Sequence, residues 1–347
     1  MPSSKSELNG EELEQLVARI GGAWEDLRAA TILITGATGW FGVWLLDALC
    51  LADETLALGL SITAVSREPQ RFLQRFPQFR AEPRIKWVKG DVRNRAPRGP
   101  FSHVIHAAAD NSIESGPDAL RSLFDTIVDG ARNVLDSSGP HCRSLLLVSS
   151  GAVYGPARDG QMRFLESDVG GPDPSLAKHA YAEGKRAAEQ LGAIAVLEGV
   201  PVRTARCFAF VGPHMPFNRH FAIGNFIADA VAGRPIRIKS DGRSIRSYLY
   251  MTDLIAALLT ILCSGSVGRA YNVGSDVSSS IEDLAHAVNR VVGGCGVVVE
   301  GAPSEPTDRY IPDTTRLRQE LGFAPVVALD EAIARTAAWY RSRMHEA

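Results

Sequence analysis

A doubly wound parallel α/β sheet with a smaller carboxyl-terminal α/β lobe is the architecture this sequence predicts. Short apolar stretches alternate with helical ones from Thr31 onward, the pattern of repeated βαβ units. Several stretches, such as Leu145-Leu146-Leu147-Val148, are continuously apolar, which suits strands covered by helices on both faces. The first stretch runs into a glycine-rich turn that opens an apolar helix. With 347 residues there is room for one large α/β unit or two lobes.

Residues Ser6–Leu27 read as an amphipathic helical extension, with Leu8, Leu13, Leu16, Val17 and Ile20 at helical spacing. It is expected to pack on the body of the protein or on a partner. Strands are expected at Thr31–Thr35, Ser61–Val65, Ile85–Val88, His103–His106, Ser144–Ser149 and Val202–Arg206. After about Phe208 the alternation becomes irregular. Helices are expected at Phe221–Ala232, Thr252–Cys263, Ser280–Val292 and Leu329–Arg343, with short strands at Ile236–Ile238, Ser247–Tyr250 and Val297–Val299.

Composition narrows the functional classes. Lys and Arg number 37 against 39 Asp and Glu, so no global positive charge points to nucleic acid or an anionic membrane. No apolar run approaches the ~20 residues of a membrane span. Met1–Asn9 is polar and lacks the apolar core of a secretory signal, so a cytoplasmic protein is expected. Cys50, Cys142, Cys207, Cys263 and Cys295 are scattered and read as reduced thiols. No histidine pair, His214 and His220 included, has metal-ligand spacing, and no metal is expected.

The first strand leads into Thr35-Gly36-Ala37-Thr38-Gly39-Trp40-Phe41-Gly42, a GxxGxxG turn before a helix. Gly36 permits the tight turn, Gly39 admits a pyrophosphate against the backbone, and Gly42 lets the helix pack close to the strand. The helix amino terminus adds unpaired N–H groups and a positive dipole. This is the cofactor-binding turn of a Rossmann-type sheet, with Thr38, Trp40 and Phe41 also at the dinucleotide. At the end of the second strand stand Ser66 and Arg67, where an NAD site usually places an acid. A hydroxyl beside a guanidinium suits a 2′-phosphate, so NADP is favoured over NAD. Asp91 and Val92 are placed for the adenine, and Ala107, Ala108 and Ala109 for close approach of the cofactor to the backbone.

Tyr181 and Lys185 lie four residues apart in a helical stretch, hence on one face. A free phenol titrates near ~10 and is a poor base at neutral pH. A neighbouring ammonium and the positive nicotinamide favour the phenolate; a shift of about 3 units takes about 4 kcal/mol. Ser149-Ser150-Gly151-Ala152-Val153-Tyr154-Gly155 follows the fifth strand, putting a hydroxyl at the ligand-binding edge of the sheet.

With these motifs in place, the chain resembles the extended short-chain dehydrogenase/reductase family, in its nucleotide-sugar epimerase/dehydratase group, from about Thr31 to Tyr340. The resemblance implies Ser150 as the catalytic hydroxyl, Tyr181 as acid/base, and Lys185 as the ligand of the nicotinamide ribose. Arg206-Cys207-Phe208-Ala209-Phe210-Val211-Gly212-Pro213 resembles the turn leading from cofactor to substrate, with Phe208 at the cofactor. Asp241-Gly242, Arg246 and Asp253 resemble a segment whose arginine grips the substrate diphosphate. Tyr271-Asn272-Val273-Gly274 and Asp308-Arg309 match two further segments, making Arg309 a second phosphate or ribose contact. Asn111 and Asn225 complete the implied substrate contacts. The implied partition is an extension over 1–28, a dinucleotide-binding domain over 29–207 and a mainly nucleotide-sugar-binding lobe over 208–347, some of whose segments return to the Rossmann domain. A homodimer through the helices holding Asp118–Ser137 and Ala177–Glu198 is expected by the same resemblance.

The chain also departs from that pattern. The group's 4,6-dehydratases carry an Asp-Glu pair after the catalytic hydroxyl; here those positions are Gly151 and Ala152, which transfer no proton. Ala209 and Ile127 stand where asparagines are usual, and Ser247 replaces an Asp. The expectation is therefore a nucleotide-sugar 4-epimerase acting through a transient 4-keto sugar. The rival is an NADPH-dependent 4-ketoreductase. A 4,6-dehydratase, a steroid- or flavonoid-type reductase and a non-catalytic dinucleotide-binding protein stand further back.

Overall fold

A computed structural model of the chain describes residues 8–94, 96–109, 116–216, 221–302 and 308–344. Seven strands form the central sheet: β1 (Thr31–Thr35), β2 (Ser61–Ser66), β3 (Ile85–Lys89), β4 (His103–His106), β5 (Ser144–Ser150), β6 (Val202–Cys207) and β7 (Ala270–Val273). Their order is β7-β6-β5-β4-β1-β2-β3, and every pairing is parallel. The order reverses between β1 and β4, and the crevice at that switch point is where such sheets bind ligands.

Helices cover both faces, and the strands alternate between them. On one side α1 (Gly10–Ile20), α2 (Trp40–Leu56) and α7 (Met251–Ser264) share a core with Ile32, Ile34, Leu146 and Val148. On the other, α4 (Pro117–Ser137) and α5 (Ala180–Leu197) enclose Leu33, Leu145 and Leu147. One residue of register thus decides which face a side chain meets. The short α3 (Pro69–Arg75) follows β2. No helix among the described residues is long and apolar enough to cross a membrane.

The extension differs from the single helix expected over Ser6–Leu27. Asn9 caps α1 by accepting from the Glu11 N–H at 3.0 Å. The helix ends at Gly21, whose φ of 56° leaves the right-handed region, and a 3-10 turn over Gly21–Leu27 follows. Leu13, Leu16, Val17 and Ile20 nevertheless join the main core, so the extension packs on the body. Arg19 pairs there with Asp253, a buried carboxylate that also accepts from the Val326 and Val327 N–H groups.

Beyond β6, α6 (Ala222–Val231), α8 (Ile281–Val292) and α10 (Leu329–Met344) enclose a second core around Ile223, Phe226, Ile227, Leu284, Val288 and Ile333. α9 (Thr315–Leu321) lies against β7. The strands expected at Ile236–Ile238 and Val297–Val299 form, and they pair with each other. The strand expected at Ser247–Tyr250 is instead two. Ile245–Ser247 lies between Ser278–Ser280 and Arg309–Tyr310 in a three-stranded ribbon, while Leu249–Tyr250 pairs with Phe210–Val211. The break at Tyr248 lets one segment serve two sheets.

Candidate active site

The glycine turn has the geometry its sequence implies. Gly36 has a φ of 76°, and a Cβ there would stand 2.6 Å from the Ala107 carbonyl. Only a residue without a side chain lets the turn lie against the end of β4. A Cβ on Gly42 would meet the Ala37 carbonyl at 2.2 Å, so α2 seats directly on the turn. Gly39 is the extended residue before α2, and its N–H donates to the Gly36 carbonyl at 2.9 Å. The cradle fits a pyrophosphate at a helix amino terminus. The Trp40 and Phe41 side chains turn elsewhere: the indole donates to the Pro213 carbonyl at 2.7 Å, and Phe41 meets Phe210 edge-on at 5.3 Å. Their part at the turn is left to the backbone.

At the second strand's end, Ser66 Oγ lies 3.3 Å from Thr38 Oγ1. Arg67 is close enough to act on Asp91, whose carboxyl is held below its usual range first by hydrogen bonds from Arg93 and, more weakly, by Arg67. Val92, expected at the adenine, is buried under α4 against Gly130, so its side chain belongs to the core. Ala107, Ala108 and Ala109 line the chain beside Gly36, with the Ala107 N–H donating to the Thr35 carbonyl at 3.1 Å. Asn111 lies outside the described residues.

The three catalytic candidates come together where β5 meets α5. Ser150 Oγ accepts from the Ala152 N–H at 3.1 Å, capping the 3-10 turn Gly151–Tyr154, and the Tyr181 phenol stands near it. Lys185 is 5% exposed, its ammonium donates to the Val148 carbonyl at 2.7 Å, and it lies 6.0 Å from the Tyr181 ring centre. Burial pulls Lys185 down to about 8. Burial also pushes the Tyr181 phenol above its usual range, against the opposing pull of the nearby Ser150 hydroxyl. The ammonium is bound to a backbone carbonyl, and the phenolate expected from the YxxxK spacing calls on the nicotinamide charge as well.

A second tyrosine, missed in the sequence, completes this group. The Tyr310 phenol lies beside the Ser150–Gly151 segment. Its Oη stands 2.7 Å from where a Gly151 Cβ would be, with the Phe208 ring 2.8 Å from the same point. Phe208 and Tyr310 pack with ring centres 4.7 Å apart, in a cluster with Val153, Tyr154 and Phe164. Phe208, assigned to the cofactor, thus also walls the position beside Ser150. Tyr310 pairs in register with Arg246 on the neighbouring strand, and Arg309 with Ile245. Strand alternation therefore puts Arg246 and Tyr310 on one face and Arg309 on the other. Arg246 pairs with the Asp308 carboxylate and donates to the Ile245 carbonyl at 2.9 Å. Asn225 sits half-buried on α6.

Behind the site lies a closed polar network that the sequence reading also left out. Ser149 Oγ donates to Glu189 at 2.5 Å, and Arg206 binds the same carboxylate with its closest contact at 2.7 Å. Arg206 donates to Tyr154 Oη at 2.9 Å, and that phenol donates to Asn272 Oδ1 at 2.7 Å. Asn272 N–H reaches Glu166 at 2.9 Å. The signal for Glu189 was present: it falls four residues after Lys185 and eight after Tyr181, on the same helix face. A cavity of about 350 Å³ opens beside Tyr154, Glu189 and Arg206, and none of Ser150, Tyr181 or Lys185 lines it.

Comparison with known proteins gives the site its family. The family model of the NAD dependent epimerase/dehydratase family matches residues 32–274. A dTDP-glucose 4,6-dehydratase of Streptomyces griseus is 27% identical over 89% of this chain and 93% of its own length. UDP-glucuronic acid decarboxylase 1 of Arabidopsis thaliana is 26% identical over 90% of this chain and 70% of its own. The solved UDP-glucose 4-epimerase of Thermotoga maritima superposes with a TM-score of 0.74 at 19% identity, over 90% of this chain and 99% of that one, a likeness of fold. The glycine turn, the Ser150–Tyr181–Lys185 group and the family match agree, and the chain belongs to the NAD dependent epimerase/dehydratase family of enzymes.

Proposed function

We propose that this enzyme is a nucleotide-sugar 4-epimerase working through a transient 4-keto sugar. The observation that carries the reading is the closed space at Gly151, filled by Tyr310 Oη and Phe208. An elimination needs an acid and a base beside the catalytic hydroxyl, and here position 151 has no room for one and Ala152 has no proton to give. Moving a hydride and a proton needs only the groups that remain.

A nicotinamide dinucleotide held at the Gly36–Gly42 turn would supply the hydride acceptor and donor. Tyr181, as phenolate, takes the proton of the sugar's C4 hydroxyl while Ser150 holds that oxygen by a hydrogen bond. The C4–H bond breaks as the carbonyl forms. After the keto sugar turns over, C4 receives the hydride on its other face and Tyr181 gives the proton back to the oxygen. Lys185 stands beneath, bound to Val148, with its charge available to a ribose hydroxyl and to the phenolate. Arg246 exchanges Asp308 for the substrate diphosphate, a bidentate partner of higher charge. The relatives' names support a nucleotide-bound sugar as the substrate class. A homodimer through α4 and α5 fits Ile194 and Leu197, the latter 89% exposed on α5.

The second reading is an NADPH-dependent 4-ketoreductase, favoured by Ser66 and Arg67 at the adenosine end. Mass spectrometry of the nucleotide released on denaturation separates the two. Stoichiometric NAD⁺, with C4 inversion of UDP-hexoses in the absence of added cofactor, supports the epimerase. A protein that yields no nucleotide and takes up NADPH well ahead of NADH overturns that reading in favour of the reductase.

A further inference from the structure

Two indoles hold one carbonyl where the two cores meet. Trp40 is the first residue of α2, directly after Gly39, and Trp44 stands one turn on along the same face. The Trp40 N–H donates to the Pro213 carbonyl at 2.7 Å, and the Trp44 N–H to the same oxygen at 3.1 Å. A carbonyl oxygen has two lone pairs, so it accommodates both donors. Trp44 is fully buried, whereas Trp40 is half-buried and packs against the sheet core and the second core at once.

Pro213 lies on the crossing from one core to the other. Before it, Phe210–Val211 pairs with Leu249–Tyr250, in the segment that carries Arg246. Tyr250 meets Trp44 edge-on, with ring centres 6.2 Å apart. After it, His214 takes a φ of 63°, in the left-handed region that few residues other than glycine adopt. Its ring packs between Phe76 at 5.1 Å and Trp339 at 4.8 Å. The Met215 N–H closes the turn on the Gly212 carbonyl at 3.2 Å, and the chain continues to α6, which holds Asn225. One carbonyl thus fastens the route to both Arg246 and Asn225 to the first turn of the dinucleotide helix.

That first turn is the place for a pyrophosphate. The leading N–H groups of a helix have no partner within it, and Gly39 offers them no side-chain cap. An anion there supplies the missing partner and stiffens the turn. We propose that Trp40 and Trp44 are positioning residues that carry this stiffening to Pro213, so that a dinucleotide on the Gly36–Gly42 turn orders the substrate lobe for the nucleotide sugar. Linkage makes the effect mutual: the nucleotide part of the substrate holds the dinucleotide in place in return. This coupling rests on the reading of the carboxyl-terminal lobe as the nucleotide-sugar site, and adds to it how that site senses the cofactor.

Trp40→Phe keeps a ring between the two cores and removes its N–H; Trp40→Phe with Trp44→Phe removes both donors. Hydrogen exchange of the Val211, Gly212, His214 and Met215 amides is read before and after addition of NAD⁺ or NADP⁺, whichever the protein takes up. The dinucleotide is expected to slow that exchange about tenfold in the wild type, about threefold in Trp40→Phe and less than about twofold in the double variant. A second readout is the release of bound NADH or NADPH, followed by its fluorescence during a chase with the oxidised dinucleotide. UDP is expected to slow that release by the same factors in the same three proteins. Exchange that the dinucleotide leaves unchanged in the wild type overturns the proposal, as does slowing by UDP that persists undiminished in the double variant. Where the double variant does not fold, undiminished slowing in Trp40→Phe overturns it equally. Failure of the underlying reading shows differently: the dinucleotide still slows exchange through the tryptophans, while UDP neither binds in calorimetry nor alters release.

Discussion

The two serines that end β5 differ by one residue of register and sit in opposite chemical worlds. Ser149 follows Leu145 and Leu147 onto the α5 side and donates to Glu189, inside a network where each charge is matched. Ser150 follows Leu146 and Val148 in the alternation, but at the end of β5 it caps the Gly151–Tyr154 turn, where Tyr181 and Lys185 of α5 come beside it. Burial raises Tyr181 and lowers Lys185, so each is pushed toward its neutral form. The Ser149 network holds strand to helix. The group at Ser150 keeps desolvated titratable side chains whose natural partners are a cofactor and a substrate, which is how function costs a fold stability.

The largest way to break this contrast lies on the Ser150 side. Tyr181→Phe is expected to lower kcat by about 10³-fold, within the range of general acid/base catalysis, while dinucleotide binding measured by calorimetry stays near wild type. On the Ser149 side the same kind of change should strike stability. Glu189→Ala leaves the partly buried Arg206 unpaired, which costs about 3 kcal/mol in chemical unfolding. A loss under about 1 kcal/mol would mean the network is ornamental.

Lys185 sharpens the comparison further, because removing it should help the fold. Its pKa falls from 10.5 to about 8 on folding, so the unfolded chain keeps a proton that the folded one sheds between those values. The penalty is therefore full below about pH 8 and fades as pH rises toward the unfolded value. Lys185→Met is expected to gain about 2 kcal/mol near neutral pH, after the lost bond to Val148 is set against the relieved charge. That gain should shrink by pH 10, and a pH-independent difference would contradict the assignment.

The contrast also shows what a sequence discloses. β1 and β5 are legible because strands buried on both faces are written as unbroken apolar runs such as Ile32–Ile34 and Leu145–Val148. The glycine turn is legible because Gly36 and Gly42 meet constraints no other residue satisfies. β7 was visible only as the segment Tyr271-Asn272-Val273-Gly274, because Asn272 puts a polar group in its middle, and only the network explains its burial. Tyr310 stayed hidden because a two-residue strand has no period to read. Its neighbours Asp308 and Arg309 drew the attention, and the register with Ile245 and Arg246 decides which side chain turns toward Gly151. The Val92 side chain turns into the core against Gly130, which leaves only its backbone for the adenine contact expected there.

The central claim is that the closed space at Gly151 confines this site to hydride and proton transfer. Mass spectrometry of the nucleotide sugar recovered after incubation with UDP-glucose and, separately, dTDP-glucose tests it most directly, with chromatography to separate C4 epimers. The account predicts a product of unchanged mass with C4 inverted. A product lighter by one water would show that elimination proceeds without an acid at position 151 and would contradict it.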